Sequence, residues 1–553
     1  MTHSVAVDGA PDLAGQAVTS MIGRTIERPG FLLVACALIG FLIQVLIYGS
    51  PPGVGYTLAA VAIVAGWLLI GRSLQLRIRP SALFLALLLV LAGLTVAWRA
   101  SPSLQALNVL AGLGLVLLIA SVYLPGGLAR FSLTDYLAAE VLASFASLVH
   151  PFLLFFDDWP HARRAPVKTP VAAQAPLQPV RRDLMPAVRG ILLALPLVLV
   201  FGALFYAADA VFAGYVRQLF NWNFDLADVF SRLVITAILA WLALGLARYA
   251  FTRDPNGQAF LDVERPAGLQ LGHTETTIVL ALLNALFVGF VAIQAVYLFG
   301  GADTLIRTGL THSEYARRGF FELVTVAALV LSLVLLADWL ARPRRAPGRP
   351  VGGELVFNLL QGLLVLLTLA ILASALQRMQ LYVREYGLTE LRLYTTAFMG
   401  WLAVVLIWSV VTVLGQSPTG RRRFAFGALL AGLTLLLALN ALNPDAFIAR
   451  TNLARALGGT GRPLDVAYLG TGLSADAVPV LLAGLPDLRD SELRRGLACE
   501  LTAASARLGQ TTGTAGWRGA NWSRARAVTL LSQSKAMLDR YVTNCPAQQS
   551  PGP

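Results

Sequence analysis

Residues 31–48 read FLLVACALIGFLIQVLIY, an apolar run long enough for an α-helix to cross a lipid bilayer. Runs of the same kind recur as far as Leu442, and arginine-rich connections follow every second run. Because cytoplasmic loops of membrane proteins carry an excess of Lys and Arg, this alternation indicates an orientation as well as a fold. The sequence therefore predicts an all-α protein, a polytopic transmembrane helical bundle.

The composition supports a membrane protein and argues against several other classes. Of the 553 residues 57% are hydrophobic and 13% are charged, whereas soluble domains contain roughly 25% charged residues. The net charge of +13 comes largely from arginines beside apolar runs, so we expect the lipid bilayer, and no nucleic acid, as a partner. The three cysteines lack the spacing of metal ligands, and no metal site or cofactor is predicted.

The apolar runs predict about eleven spans of about 20 residues each. The predicted spans cover residues 31–48, 55–71, 81–98, 104–124, 190–208, 228–249, 276–298, 319–341, 355–375, 394–415 and 425–442. Arginines in every second connection place the N-terminus in the cytoplasm and the C-terminus outside it. The predicted regions are an N-terminal cytoplasmic tail (1–30), N-terminal transmembrane helices (31–131), an interfacial or re-entrant helix (132–156), a basic Pro/Ala-rich cytoplasmic loop (157–189), a transmembrane core (190–442) and an extracytoplasmic helical domain (443–553).

The segment 132–156 is apolar enough to cross but contains Asp135, Glu140 and His150, and it breaks at Pro151. Basic residues flank it on both sides, so the positive-inside rule places both flanks in the cytoplasm. We therefore predict an interfacial or re-entrant helix rather than a span.

After Leu442 the sequence becomes polar and carries signals of short helices. Asn443, Pro444 and Asp445 are typical of a helix start, as cap, first-turn proline and acid near the positive end of the helix dipole. Two of the three cysteines, Cys499 and Cys545, lie in this region. They are a candidate disulfide if the domain is extracytoplasmic, and free thiols if it is cytoplasmic.

Six short strings carry a resemblance to a known family. They are ETTIVL (275–280), YLFGG (297–301), EYARRGFFEL (314–323), RMQLY (378–382), YGLTELR (386–392) and NPDAFIAR (443–450). Over roughly residues 185–480 the chain resembles the bacterial membrane family called domain of unknown function 4173. The resemblance implies a multi-span protein of the bacterial cytoplasmic (inner) membrane and no established activity.

On the predicted topology, the polar residues of these strings converge on the outer side. The candidate cluster comprises Asp209, Glu314, Arg317, Arg318, Glu322, Arg378, Arg384, Glu385, Arg392, Asp445 and Arg450. Glu322 is the leading candidate, because charges near the apolar slab are costly unless they are paired or line a wet cavity. The alternative is an ion-paired network that only fixes loops and domain against the bundle. Asn284 and Gln294, within one predicted span, could line a path or bond helices together, and bonding is commoner.

No enzyme motif is recognisable, including the phosphate-binding loop, the zinc helix and the nucleophile elbow, so we predict no catalytic residue. The leading hypothesis is a non-enzymatic signalling, assembly or scaffolding protein, with an envelope protein as candidate partner of the C-terminal domain. The alternative is a secondary transporter or lipid translocator with an outward-facing polar cavity near Glu322.

Overall fold

The computed structural model describes residues 28–125, 127–160, 226–253, 273–299, 320–340, 352–414, 418–459 and 461–542, with Ile26, Cys545 and scattered positions from 194 to 209. Within these ranges the regular structure is helical and no strand occurs. The all-α prediction is therefore confirmed. The predicted loop 157–189 and span 190–208 lie largely outside the described residues.

Eleven helices precede the C-terminal region within the described ranges. They are α1 (Pro29–Ile47), α2 (Val54–Ser73), α3 (Pro80–Trp98), α4 (Pro102–Val122), α5 (Leu133–Leu153), α6 (Leu226–Thr252), α7 (His273–Phe299), α8 (Phe320–Leu340), α9 (Gly352–Tyr386), α10 (Glu390–Val413) and α11 (Pro418–Leu442). Ten helices of the described chain are long and apolar enough to cross a membrane; in α8 the apolar helical stretch is shorter, Glu322–Ala337. The chain is thus a multi-pass membrane protein.

The helices form two packed groups. Helices α1 to α6 share one apolar core, to which α11 adds Ala425, and α7 to α10 share another. Helix α6 packs against both α1 and α5. A Cβ atom on Gly40 would clash with the backbone nitrogen of Ala240, and one on Gly245 would clash with the carbonyl oxygen of Ser147. Only glycine permits these close helix crossings, which are typical of helix packing in membranes.

Helix α5 continues into a π-helical turn, Leu154–Asp158. Near its start the Tyr136 hydroxyl donates to the Leu128 carbonyl (2.8 Å), and at its end Asp158 accepts from the Ile26 amide (3.2 Å), just before α1. Tyr123, at the end of α4, packs against Phe251, at the end of α6, with ring centres 5.0 Å apart.

Both ends of the segment 133–158 therefore lie near the same end of the bundle. This geometry favours an interfacial or re-entrant helix, whereas its length and apolar composition would allow a crossing. Its position relative to the membrane stays a prediction.

The C-terminal region, which we call the C-terminal domain, is helical, and its apolar core also takes in Leu388 and Leu393 from the adjoining end of the bundle. Its helices are α12 (Pro444–Leu457), α13 (Val478–Gly484), α14 (Ser491–Ala515), α15 (Trp522–Gln533) and α16 (Lys535–Tyr541), with a π-helical turn at Tyr468–Gly472. At the start of α12 the Asn443 side chain accepts from the Ala446 amide, and Pro444 occupies the first turn. The helix start predicted from these residues is confirmed.

Candidate functional site: a buried polar centre between the bundle and the C-terminal domain

The C-terminal domain contacts the bundle where helices meet at one end. The Gly55 amide, at the start of α2, donates to the Arg518 carbonyl (2.8 Å). Asn452 bonds both backbone groups of Leu388, between α9 and α10, at 2.7 Å. These connections join helices of both packed groups, so the domain bridges the two halves of the bundle.

Asp476 lies at the centre of the contact. One carboxylate oxygen accepts from the amides of Ala100 (2.6 Å) and Ser101 (3.0 Å), which precede α4. The other oxygen accepts from the Ser523 hydroxyl and lies 3.7 Å from Arg99 Nη1. Asp476 is only 3% exposed. An anion at the start of α4 is favoured by the free amides and the dipole of that helix, which helps to stabilise the buried charge.

Arg99 connects the carboxylate to three further elements. Its Nε donates to the Asn440 carbonyl in the last turn of α11 (2.7 Å), and its own carbonyl accepts from Asn521 (2.8 Å). Its guanidinium lies 4.0 Å from the ring centre of Trp98. Asn440 and Asn108 also bond through their side-chain amides at 3.0 Å. The buried arginine thus joins α3, α11 and the C-terminal domain, and the asparagine pair joins α11 to α4.

A second buried acid, Asp445, lies beside this centre and accepts from the Ser474 amide (3.0 Å). Burial raises the pKa of the Asp445 carboxyl to about 6, an effect that hydrogen bonds from Ser474 oppose and the nearby Asp476 and Glu390 charges reinforce. The Ser101 hydroxyl lies 3.4 Å from Glu390. We define the polar centre as Arg99, Ser101, Asn108, Glu390, Asn440, Asp445, Ser474, Asp476, Asn521 and Ser523.

The raised pKa predicts how stability depends on pH. Because the pKa of Asp445 is about 6 in the folded chain and 3.8 ordinarily, the folded state binds more protons between these values. The free energy of unfolding should therefore fall as pH rises through this window. Above the folded-state pKa of about 6 it should fall no further on account of Asp445. Asp445→Asn keeps an acceptor for Ser474 and should stabilise the detergent-solubilised protein at pH 7 by up to roughly 3 kcal/mol. Thermal unfolding of the variant and of the parent protein at several pH values measures this difference in stability.

The expected difference between Asp445→Asn and the parent protein shrinks towards zero near pH 4, where the parent carboxyl is protonated. Asp487→Asn, at an exposed position of the same domain, is the matched control and should follow the parent at every pH. Equal melting of Asp445→Asn and the parent across the range would contradict a destabilising buried charge.

The described members of the predicted polar cluster differ in their surroundings. Among its members Asp445 joins the polar centre, and Arg392 lies nearby with its guanidinium 4.2 Å from the ring centre of Tyr382. Arg384 and Glu385, at the end of α9, and Arg450, on α12, are exposed, whereas Arg378 is partly buried in α9. Glu322 is exposed in the first turn of α8, and Asp209 is exposed as well. Glu314, Arg317 and Arg318 lie outside the described residues.

The two predicted polar residues of α7 are buried. The Asn284 amide donates to the Leu280 carbonyl (2.7 Å) in its own helix and to the Leu360 carbonyl (2.9 Å) in α9. Asn284 therefore bonds two helices together, which is the commoner role of such residues. Gln294 lies on the same helix and is 8% exposed.

Sequence reasoning missed most of the polar centre. Asp476 does not cap α13, which starts after Ala477 without a side-chain cap, because its carboxylate bonds Ala100 and Ser101 instead. Arg99 could have been noticed as an arginine at the outer end of a predicted span, against the positive-inside rule. For Asn108, Asn440 and Asn521, no local sequence pattern indicated a place in the polar centre.

Cys499 and Cys545, the predicted pair, form a disulfide with Cα atoms 5.7 Å apart. The bond attaches the end of the chain after α16 to α14. Cys36 is a free, buried thiol. Groups of three or more potential metal ligands are absent from the described residues.

Comparison with known proteins identifies a family without assigning an activity. No curated protein and no solved structure matches the chain. A family model described as a domain of unknown function, DUF4153, matches residues 86–484, more than half of the chain, including both Arg99 and Asp476. The resemblance to domain of unknown function 4173 is not confirmed. The chain belongs to the DUF4153 family of domains of unknown function.

Proposed function

We propose that this protein is a non-enzymatic component of the bacterial cell envelope that holds its C-terminal domain on the extracytoplasmic face of the inner membrane. The domain would bind another envelope protein in signalling, assembly or scaffolding. The observation that carries the proposal is the polar centre, in which Asp476 of the domain and Arg99 of the bundle are buried against each other. Such a contact fixes the domain in one position on the bundle.

The charge distribution supports the proposed orientation. The C-terminal domain contacts the ends of α1, α3 and α11, whereas Arg72, Arg79 and Arg248 lie at the opposite ends of their helices. Under the positive-inside rule, this distribution supports the proposal that the domain lies outside the cytoplasm. The disulfide of the domain is consistent with this placement, since disulfides persist in oxidising compartments.

The packing favours an anchoring role over the rival hypothesis of transport. Two large grooves in the described part of the chain, of about 550 and 570 Å³, are lined mainly by apolar side chains, and neither is lined by Glu322. A transporter of the predicted kind would instead need a wet cavity reaching Glu322. If Glu322→Gln abolished an ion-coupled flux in proteoliposomes, the transport hypothesis would replace ours.

Thiol labelling tests the orientation. In intact cells, a membrane-impermeant maleimide should label Cys499 and Cys545 only after treatment with an impermeant reductant, because the disulfide blocks both thiols beforehand. A Ser73→Cys variant in a Cys499→Ser/Cys545→Ser background gives the matched control. Ser73 is exposed at the opposite end of the bundle and should be labelled only after lysis. Labelling of the domain cysteines only after lysis would invert the orientation.

A second experiment tests the proposed binding role. A photo-crosslinking amino acid at Thr511, exposed on α14, should form a discrete adduct with an envelope protein in intact cells. The same amino acid at Ser73 should not form that adduct. Absence of adducts from Thr511 and from other exposed positions of the domain would contradict a binding role.

A further inference from the structure

A large apolar groove lies under the edge of the C-terminal domain. It has a volume of about 550 Å³ and is open on one side, between the start of α2, the end of α3 and the segment that joins α14 to α15. Its lining includes Val54, Leu94, Trp98, Ala515, Trp522 and Arg524. Ligand sites in proteins have volumes of about 300–1,000 Å³, so the groove can hold an alkyl chain.

The groove lies beside Trp98, the last residue of the candidate span α3, where we expect a bilayer to meet water. Trp98, at the end of the span α3, is exposed, as are Trp517 and Trp522 in the domain above it. Tryptophan is enriched at membrane interfaces, where one part of the ring system is apolar and the other hydrated. Leu87 and Leu94 are exposed one above the other on α3, so the lipid-facing surface of α3 continues directly into the groove.

The rim of the groove carries positive charge. Arg524 is a lining residue, and no aspartate or glutamate is among the lining residues. The Arg524 guanidinium donates to the carbonyls of Pro52 and Gly519, and these bonds hold it at the rim. Arg518 lies in the same segment and is held by the carbonyls of Val45 and Tyr48. Fixed guanidinium groups of this kind attract phosphate.

We propose that the groove is a binding site for a phospholipid of the adjoining leaflet, with one acyl chain between α3 and the domain and the phosphate beside Arg524. Continuity with the lipid-facing surface of α3 identifies a bilayer lipid as the occupant, and the uncompensated rim charge favours an anionic headgroup. Lipid binding in the groove does not require the domain to lie on a particular side of the membrane. The lipid-binding proposal can therefore be contradicted without contradicting the proposed function, and the reverse is also true.

The test uses the full-length protein in vesicles that contain phosphatidylglycerol with a photoreactive group on one acyl chain. After irradiation, mass spectrometry should locate adducts in the peptides that contain Leu94 to Trp98 or Ala515 to Ala525. Ala525→Trp places a large ring in the groove from an exposed position of α15. This variant should lose the groove adducts while it keeps adducts at other lipid-facing helices.

Ala506→Trp is the matched control, because Ala506 is exposed on α14 and is not a lining residue. It should be labelled in the groove like the parent protein. Replacing the photoreactive lipid with a phosphatidylcholine analogue should weaken the groove adducts, because that headgroup has no net charge.

Groove adducts that are equal in Ala525→Trp and the parent, or no enrichment over other lipid-facing peptides, would overturn the proposal. If a photoreactive amino acid at position 525 crosslinked two copies of the chain and the lipid gave no groove adducts, the groove would belong to a second copy and the proposal would be overturned.

Discussion

Asp476→Asn is expected to destabilise the protein by about 3–5 kcal/mol, because it leaves a buried guanidinium without its carboxylate. Arg99 and Asp476 are both buried, and Asp476 is the ion-pair partner of Arg99 in the described structure. Asparagine can still accept from Ala100 and Ser101, so the loss should come mainly from the unpaired charge. Thermal unfolding of the detergent-solubilised protein measures the loss, and faster proteolysis of the C-terminal domain should accompany it.

The control for Asp476→Asn is Asp487→Asn, which changes an exposed aspartate of the same domain and should leave stability within about 0.5 kcal/mol. The double variant Arg99→Met/Asp476→Asn removes both charges and should be less destabilised than the sum of the single variants, because the two residues interact. If Asp476→Asn unfolds at the same temperature as Asp487→Asn, the carboxylate does not hold the domain on the bundle.

The membrane-spanning helices were predictable because the bilayer imposes a strict requirement. A spanning segment must satisfy its backbone hydrogen bonds internally and expose apolar side chains, so it appears as a long apolar run. The runs 31–48 and 81–98 accordingly correspond to α1 and α3 within two residues at each end. The start of α12 at Asn443 and Pro444 was also predictable, because capping depends on adjacent residues.

The polar centre was not predictable, because its partners are far apart in the chain. Ala100 and Asp476 are separated by 376 positions, and Asn108 and Asn440 by 332. No local pattern specifies such pairs; they depend on how the helices and the domain pack. Assigning polar residues to the same side of a membrane was therefore insufficient, since Glu322 and Asp445 were assigned to one cluster although only Asp445 enters the polar centre.

Arg248→Met is expected to cost about 3–5 kcal/mol, at the opposite end of the bundle from the polar centre. The Arg248 and Asp158 side chains are both 0% exposed, and they form a two-point ion pair with nitrogen–oxygen distances of 2.7 and 3.2 Å. Asp157 lies 3.8 Å from the same guanidinium, and the Ile26 amide donates to Asp158. Methionine would leave Asp158 buried without a cation, which would loosen the contact of the segment 154–158 with α1 and α6.

The same helix supplies the control. Arg232 pairs with Asp228 at the same distance of 2.7 Å, but these side chains are 40% and 43% exposed. Water and salt screen an exposed pair, so Arg232→Met should change the unfolding temperature little. Adding Asp158→Asn to Arg248→Met removes the unpaired charge and should restore part of the loss. Equal effects of Arg248→Met and Arg232→Met would mean that the buried pair contributes no more to stability than the exposed one, and that apolar packing alone holds α5 against α6.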